Sequence, residues 1–208
     1  MSVEHKQYRE RRNPDSYFNG SRRYFDKKMQ ATMVNVHAGD CFVTDKVDEI
    51  AATVLGSCIS ACIRDPIKRI GGMNHFLLPG TTSATDTMRF GAFAMEQLIN
   101  EIMKRGGDRE RLEVKLFGGG NVIKTATQIG TKNIAFAKQY LADEELTIVG
   151  EDVGGTSPRK VRYQPATGRA WVMHLRRKED FSQVASEEER YTKKFKQDAP
   201  QQEDVELF

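Results

Sequence analysis

The sequence lacks several features that would mark a specialised class of protein. None of its 208 residues belongs to a run approaching the ~20 apolar residues that a membrane-spanning helix requires. No segment repeats with a period of ~20–50 residues. The N-terminal stretch is polar and basic, so we expect no secretory signal there. With only three cysteines, one must stay unpaired, and we expect a reduced, cytoplasmic protein rather than a disulfide framework.

Charge is concentrated at the two ends of the chain. Residues 1–35 contain eight Lys and Arg against four Asp and Glu, whereas residues 176–208 contain seven against nine. Both ends are poor in apolar repeats. We therefore predict a basic flexible arm over residues 1–32, a single domain over residues 33–176, and a charged tail over residues 177–208 that is disordered or forms one loose helix. The arm's composition would suit RNA or an acidic partner, but with a net charge of only +3 a solubilising extension is favoured, and we expect no nucleic-acid partner.

Between these ends, strand-like and helix-like patterns follow one another. Apolar residues recur at helical spacing from Met88 to Ile102 and again over residues 131–142, which predicts two amphipathic helices. The other apolar runs are short and bounded by turn residues, and they predict strands at 33–37, 41–44, 50–55, 59–64, 71–78, 112–117, 146–150, 160–164 and 169–175. Many strands with only two strong helices predict an α+β fold, a layered sandwich of mixed, largely antiparallel sheet with flanking helices.

Two residues stand out as candidates for chemistry. Cys58 follows Gly56 and Ser57 in a tight connection between two apolar runs, where the glycine permits close approach of chain or substrate. His75 lies in an apolar strand next to Asn74, where a polar side chain is costly unless it finds a partner. Taken alone, each is more simply a buried core residue. The segment 64–69 has the length of a hairpin turn, however, and a hairpin would bring Cys58 near His75, the pair that makes a thiolate nucleophile.

Other kinds of site fit the sequence less well. Cys41, Cys58, Cys62 and His75 are potential metal ligands, but the second closely spaced pair typical of structural zinc sites is missing, and we predict no metal. The glycine run at 118–120 lacks the spacing of a phosphate-binding or dinucleotide-binding loop, so a tight positive-φ connection or close backbone packing is favoured there. We therefore expect no cofactor.

Several short blocks resemble the chemoreceptor glutamine deamidase family, CheD. In chain order they are TVLGSC at 53–58, DP at 65–66, GGMNHFLLP at 71–79, KLFGGG at 115–120, IGTKN at 129–133, DVGG at 152–155, RKV at 159–161 and TG at 167–168. The resemblance covers about residues 33–175. It implies a fold similar to the catalytic domain of the cytotoxic necrotizing factor toxins, and an enzyme that converts glutamines of methyl-accepting chemotaxis receptors to glutamates. Family members also hydrolyse receptor methyl esters in some systems, and some bind the phosphatase CheC.

The resemblance also implies roles for individual residues. Cys58 matches the family's nucleophile and His75 its histidine. The family's threonine stands one residue further from the cysteine, where this chain has Ala52. A shift of one residue turns a strand side chain to the other face, so Thr53 does not match the family's threonine in position. Thr53 is the best available orienting residue and is predicted as such, with a backbone carbonyl as the alternative.

This chemistry predicts a Cys58–His75 thiolate–imidazolium pair and a thioester intermediate. The backbone N–H of Cys58, helped by the Asn74 amide, is expected to stabilise the oxyanion. The main alternative is a non-catalytic binding partner of a CheC-like phosphatase or of receptors, which would be indifferent to Cys58 and His75. A deamidase with another target, closer to the toxins, and a nucleic-acid role of the arm are weaker alternatives.

Overall fold

Two five-stranded sheets form the framework of the protein. The structure is a computed structural model that describes residues 23–78, 84–122 and 128–198. The first sheet has the order β1-β2-β4-β9-β10 and the second the order β3-β6-β5-β7-β8. In chain order the strands are β1 Arg23–Asp26, β2 Ala31–Asn35, β3 Cys41–Thr44, β4 Glu49–Leu55, β5 Ile59–Asp65, β6 Ile70–Asn74, β7 Glu113–Gly118, β8 Thr147–Val153, β9 Arg159–Gln164 and β10 Arg169–His174.

Pairing within both sheets is mostly antiparallel. The exceptions are β2 with β4 and β7 with β8, which are parallel. In the described ranges three α-helices accompany the sheets: α1 Ala84–Lys104, α2 Ile129–Asp143 and α3 Lys178–Asp198, and a short 3-10 helix covers Arg109–Arg111. The prediction of an α+β fold with mixed, largely antiparallel sheet and flanking helices is confirmed.

The core lies in two main layers, and β5 shows why. Its residues alternate strictly, as a strand buried on both faces requires. Ile59 and Ile63 pack with apolar residues of α1 and α2 on the outer face of the second sheet. Cys62, on the opposite face, packs between the sheets with Leu55 and Val161 of the first sheet. The domain therefore has three layers: helices α1 and α2 pack on one face of the second sheet, and the first sheet packs on its other face.

The hairpin predicted from segment 64–69 is present. Strands β5 and β6 pair antiparallel through Asp65 and Ile70, with turn residues between them. Beyond the regular strands, the backbones of Ile59 and Phe76 exchange hydrogen bonds of 2.9 and 3.0 Å. Because this pairing is antiparallel, its register sets His75 opposite Ser60 and Cys58 opposite Leu77. Cys58 and His75 are therefore diagonal neighbours at this end of the hairpin.

The structure differs from the prediction at both ends of the domain. Residues 23–26 form β1, which pairs with β2, so residues 23–32 of the predicted arm are part of the folded domain. The rest of that arm lies outside the described residues. Residues 178–198 of the predicted tail form α3, whose helix is not solvated on all sides, and residues 199–208 lie outside the described residues. Of the described side chains of α3, at residues 178–193, only Val184 and Glu188 are buried.

Candidate active site

The candidate nucleophile lies where the chain crosses from one sheet to the other. Strand β4 belongs to the first sheet and β5 to the second, and Gly56, Ser57 and Cys58 connect them. The connection is anchored by backbone hydrogen bonds from Gly119 N–H to the Cys58 carbonyl and from Gly120 N–H to the Gly56 carbonyl, both 2.7 Å long. The glycine run thus holds the candidate catalytic loop.

Close packing explains why glycine stands at the end of β7. Gly118 has a φ of +108°, which side-chain-bearing residues rarely adopt. A Cβ at this position would overlap the Cys58 carbonyl oxygen. The predicted interpretation of residues 118–120 as a positive-φ connection with close backbone packing is confirmed, and its packing partner is the Cys58 loop.

A second anchor of this loop was not predicted from the sequence. Asn133, buried on α2, donates from Nδ2 to the Ser57 carbonyl over 2.6 Å. Its Oδ1 accepts the backbone N–H of Leu78 over 3.0 Å. Because the Ser57 carbonyl and the Cys58 N–H belong to the same peptide unit, Asn133 also fixes the direction of that N–H. The available signal was an asparagine on the apolar face of a helix, within the IGTKN block.

His75 is held by contacts from the other sheet. Its Nδ1 lies 2.8 Å from Thr53 Oγ1 and 3.3 Å from the Val36 carbonyl oxygen. The Thr53 hydroxyl donates to the same carbonyl over 2.7 Å, so its oxygen is free to accept from Nδ1–H. This arrangement leaves Nε2 as the unprotonated nitrogen. Both predicted orienting groups, Thr53 and a backbone carbonyl, are therefore in contact with the ring.

The other ring nitrogen of His75 is available. Nε2 is buried and has no hydrogen-bond partner in the part of the chain that the structure describes. His75, Cys58 and Thr53 together line a cavity of about 180 Å³. Burial lowers the pKa of His75 to about 4, so the ring is neutral near pH 7 and has the protonation state of a base. The arrangement combines an oriented imidazole with a thiol in one cavity.

The cavity also contains a residue that sequence reasoning missed. Glu188 of α3 accepts the hydroxyl of Ser57 through Oε2 over 2.6 Å and the backbone N–H of Cys58 through Oε1 over 2.9 Å. Burial, the charge of Glu188 and its hydrogen bond with the thiol raise the pKa of Cys58 well above its usual value. With α3 in place, Cys58 is therefore a thiol and not a thiolate. The only sequence signal was Glu188 standing four residues after Val184 in an otherwise polar helix.

The structure corrects the expectation for Asn74. Its Oδ1 accepts the backbone N–H of Ala61 over 2.8 Å, and its Nδ2 donates to the carbonyl of Ala94 over 2.9 Å. These bonds tie β6 to β5 and α1, because a buried amide must satisfy both its donor and its acceptor. Asn74 is thus committed to the side of the sheet that faces α1 and does not serve as an oxyanion donor.

The three cysteines do not come together. All three are free; Cys62 is buried between the sheets and Cys41 lies on β3. Within residues 23–78, 84–122 and 128–198, no cluster of three or more His, Cys, Asp and Glu side chains is arranged to hold a metal ion. No helix in these ranges is long and apolar enough to cross a membrane.

Comparison with known proteins decides the family. Residues 77–174 match the family model described as CheD chemotactic sensory transduction. A relative from Rhodopseudomonas palustris (strain BisA53), named probable chemoreceptor glutamine deamidase CheD, is 48% identical, and the alignment covers 84% of this chain and 82% of the relative. The chain belongs to the CheD family. A CheD relative with the same name from Methylobacillus flagellatus is 45% identical over 89% of this chain and 94% of its own length.

Solved structures add little to this assignment to CheD. The hypothetical protein YfiH of Bacillus licheniformis matches 57% of this chain and 50% of its own, with 14% identity and a TM-score of 0.36.

Proposed function

We propose that this chain is a cytoplasmic protein-glutamine deamidase that converts glutamines of methyl-accepting chemotaxis receptors to glutamates. The observation that carries the proposal is the oriented imidazole: Nδ1 of His75 is bound by Thr53 and Val36, and Nε2 has no partner among the described residues. His75 and Cys58 line the same cavity. The curated relatives bear the name of this activity.

The reaction begins with the candidate nucleophile. His75 Nε2 takes the proton of the Cys58 thiol, and the thiolate attacks the Cδ carbon of the substrate glutamine. The charge that develops on the amide oxygen is stabilised by the Cys58 backbone N–H. Asn133 holds that peptide unit from its carbonyl side. One such donor is typically worth about 3–4 kcal/mol of transition-state stabilisation.

The second half of the reaction returns the enzyme to its starting state. Protonated His75 gives its proton to the departing ammonia as the C–N bond breaks, and a thioester with Cys58 remains. Neutral His75 then removes a proton from water, which attacks the thioester and releases glutamate. Throughout, Thr53 and the Val36 carbonyl keep Nδ1–H bound, so the ring presents Nε2 to each proton transfer.

The same site would accept a glutamate methyl ester. The attacked carbon is equivalent, and methanol leaves in place of ammonia. Hydrolysis of receptor methyl esters is therefore the second reaction that we propose, and a CheC-like phosphatase remains a partner expected from the family resemblance.

Mass spectrometry of a receptor's cytoplasmic fragment incubated with the chain tests the proposal. We expect an amide-to-acid mass increase at specific glutamines, lost with Cys58→Ala and with His75→Gln. Cys62→Ala is the matched control because Cys62 is also a buried cysteine, in the strand β5 that directly follows Cys58, but does not line the cavity. Activity retained in a folded Cys58→Ala variant would refute the mechanism. An inert but folded parent chain that still binds a CheC-like phosphatase would favour the binding-partner alternative.

A further inference from the structure

Helix α3 places a carboxylate at the point where the proposed reaction would take place. Glu188 Oε1 lies 2.9 Å from the Cys58 backbone nitrogen, the donor assigned above to the substrate's oxygen. Its other oxygen accepts the Ser57 hydroxyl over 2.6 Å. Deamidation of glutamine produces a glutamate side chain, which is the group that α3 holds there. Glu188 therefore occupies the site as a reaction product would.

The surface beneath α3 is shaped to receive it. Val184, Glu188 and Tyr191 stand at helical spacing on one face of α3 and line the cavity. A Cβ on Gly56 would lie 2.5 Å from Val184 Cγ1 and 2.9 Å from Glu188 Oε1. A Cβ on Gly39 would lie 3.1 Å from the Tyr191 ring. Glycine at position 56 thus lets the helix approach the backbone of the catalytic loop, and glycine at position 39 leaves room for the Tyr191 ring.

The attachment of α3 is local. Its described side chains bury only Val184 and Glu188, and they do so against the cavity. Burial of one valine typically contributes about 1.5–3 kcal/mol, part of which is offset by the entropy of ordering the helix. The contact is therefore specific in position but small in area, which is what a displaceable segment requires.

We propose that α3 is an autoinhibitory segment that binds the active site through Glu188 as a product-like side chain, and that substrate gains access only when α3 is displaced. This inference rests on the proposed function. In the docked state the Cys58 N–H already donates to Glu188, whose carboxylate stands in the cavity that Cys58 lines. Neither the N–H nor the cavity is then available to a glutamine from another molecule.

If α3 binds in this way, the amide side chain of a Glu188→Gln variant would be an intramolecular substrate for Cys58. The amide introduced at position 188 would take the place of the carboxylate, with its oxygen at the Cys58 N–H. Attack by the Cys58 thiolate on Cδ forms the thioester, and ammonia leaves with the proton supplied by His75. Water then hydrolyses the thioester, so one amide and one water give one carboxylate and ammonium, and the Cys58 thiol is restored.

Peptide mass spectrometry of the purified full-length Glu188→Gln chain, without any receptor, reads out this reaction. We expect residue 188 to become glutamate at a rate independent of protein concentration. The change should be absent when Cys58→Ala is also present. Glu189→Gln is the matched control, because that side chain is exposed and pairs with Lys193 on the outer face of the helix, so an amide introduced there should persist. An amide at position 188 that persists in a chain able to deamidate a receptor would overturn the inference, as would conversion whose rate is proportional to protein concentration.

A receptor assay separates this inference from the proposed function. Glu188→Ala should deamidate a receptor fragment roughly tenfold faster than the parent chain or more, since a tethered competitor acts at an effective concentration in the mM range; Glu189→Ala should match the parent. Receptor deamidation with equal rates for the parent and Glu188→Ala would overturn the role of α3 alone. Conversion of the amide in Glu188→Gln, with no receptor deamidated by any variant, would support α3 docking and refute the receptor as substrate.

Discussion

Glu188 of α3 accepts a hydrogen bond from the backbone N–H of Cys58, a residue 130 positions earlier in the chain, over 2.9 Å. This contact joins the helix after the last strand to the connection between the two sheets. It also defines the chemical state of the site, because a neighbouring carboxylate and burial both favour the thiol of Cys58. The structure therefore describes a closed site with a neutral thiol and a neutral imidazole.

The closed site predicts slow modification of Cys58. We expect iodoacetamide to alkylate Cys58 slowly in the parent chain and at least several-fold faster in Glu188→Ala, because removing the carboxylate both exposes the thiol and lowers its pKa. Cys41, half-buried on β3, is the internal control and should react at the same rate in both chains. Peptide mass spectrometry at successive times measures both sites. Equal Cys58 rates in the two chains would contradict the prediction.

The hydroxyl of Thr53 should matter for catalysis more than for binding. In Thr53→Val, Nδ1–H of His75 keeps only the Val36 carbonyl at 3.3 Å. Loss of one orienting hydrogen bond, about 1–1.5 kcal/mol, corresponds to a fall of roughly tenfold in kcat with little change in KM. Thr53→Ser retains the hydroxyl and should restore most of the rate. Steady-state deamidation kinetics of the three chains test this, and a Ser variant as slow as the Val variant would argue against an orienting role.

Two glycines with positive φ allow the effect of backbone strain on stability to be measured separately from the effect of a steric clash with the Cys58 loop. Gly106 has a φ of +92° and a Cβ there would meet nothing within 4 Å, whereas Gly118 has a φ of +108° and faces the Cys58 carbonyl. Gly106→Ala should cost about 1 kcal/mol of backbone strain and leave activity unchanged. Gly118→Ala should lower the melting temperature further and reduce deamidation, because the Cys58 loop must move. Calorimetry and the receptor assay measure the two effects. Equal behaviour of the variants would show that contact with the loop is unimportant.

Buried His75 should make stability depend on pH. Its pKa is lowered from 6.5 to about 4, so between these values the unfolded chain binds a proton that the folded chain does not. The stabilising contribution is therefore complete above about pH 6.5 and is lost as the pH falls towards 4, by up to about 3 kcal/mol. Urea unfolding at about pH 7 and about pH 5 measures it. His75→Gln should lose less stability across this interval than the parent chain, and an equal loss would show that His75 is not the group responsible.

Removal of residues 180–208 should leave the domain folded. Within the described part of this segment only Val184 and Glu188 are buried, so little apolar area is lost. We expect the melting temperature to fall by less than about 5 °C. The near-ultraviolet circular dichroism spectrum should retain the signal of packed aromatic residues. A large fall in melting temperature would mean that α3 is part of the core and not a displaceable segment.

Local patterns in the sequence were sufficient for much of the site. The hairpin of β5 and β6 follows from two apolar runs and a turn of suitable length, and it is what brings Cys58 and His75 to one end of the sheet. Thr53 was predicted as the best available hydroxyl although it stands one residue from the family's threonine position, and Thr53 is the residue in contact with His75. The hairpin follows from short-range geometry that the period of the pattern fixes, whereas the face on which Thr53 lies does not.

Contacts between distant segments could not be inferred in the same way. Asn74 and Asn133 are both buried amides near the site, yet Asn74 donates to a carbonyl of α1 and Asn133 to the carbonyl of Ser57. The local sequence pattern does not determine which hydrogen-bond partner a buried amide has. Strand β1 has only four residues in an Arg-rich segment, too few to show an alternation. Docking of Glu188 depends on where the whole of α3 lies against the domain, which composition alone does not determine.

The short connection between β10 and α3 has a kinetic consequence. Only residues 175–177 separate them, so under the proposed autoinhibition the competing helix stays at the same local concentration however little enzyme a cell contains. A dilute substrate would seldom displace α3 from the active site, whereas a substrate present at high local concentration would displace it often. Such an enzyme would be nearly inactive on dispersed substrate molecules and active where the substrate molecules are clustered.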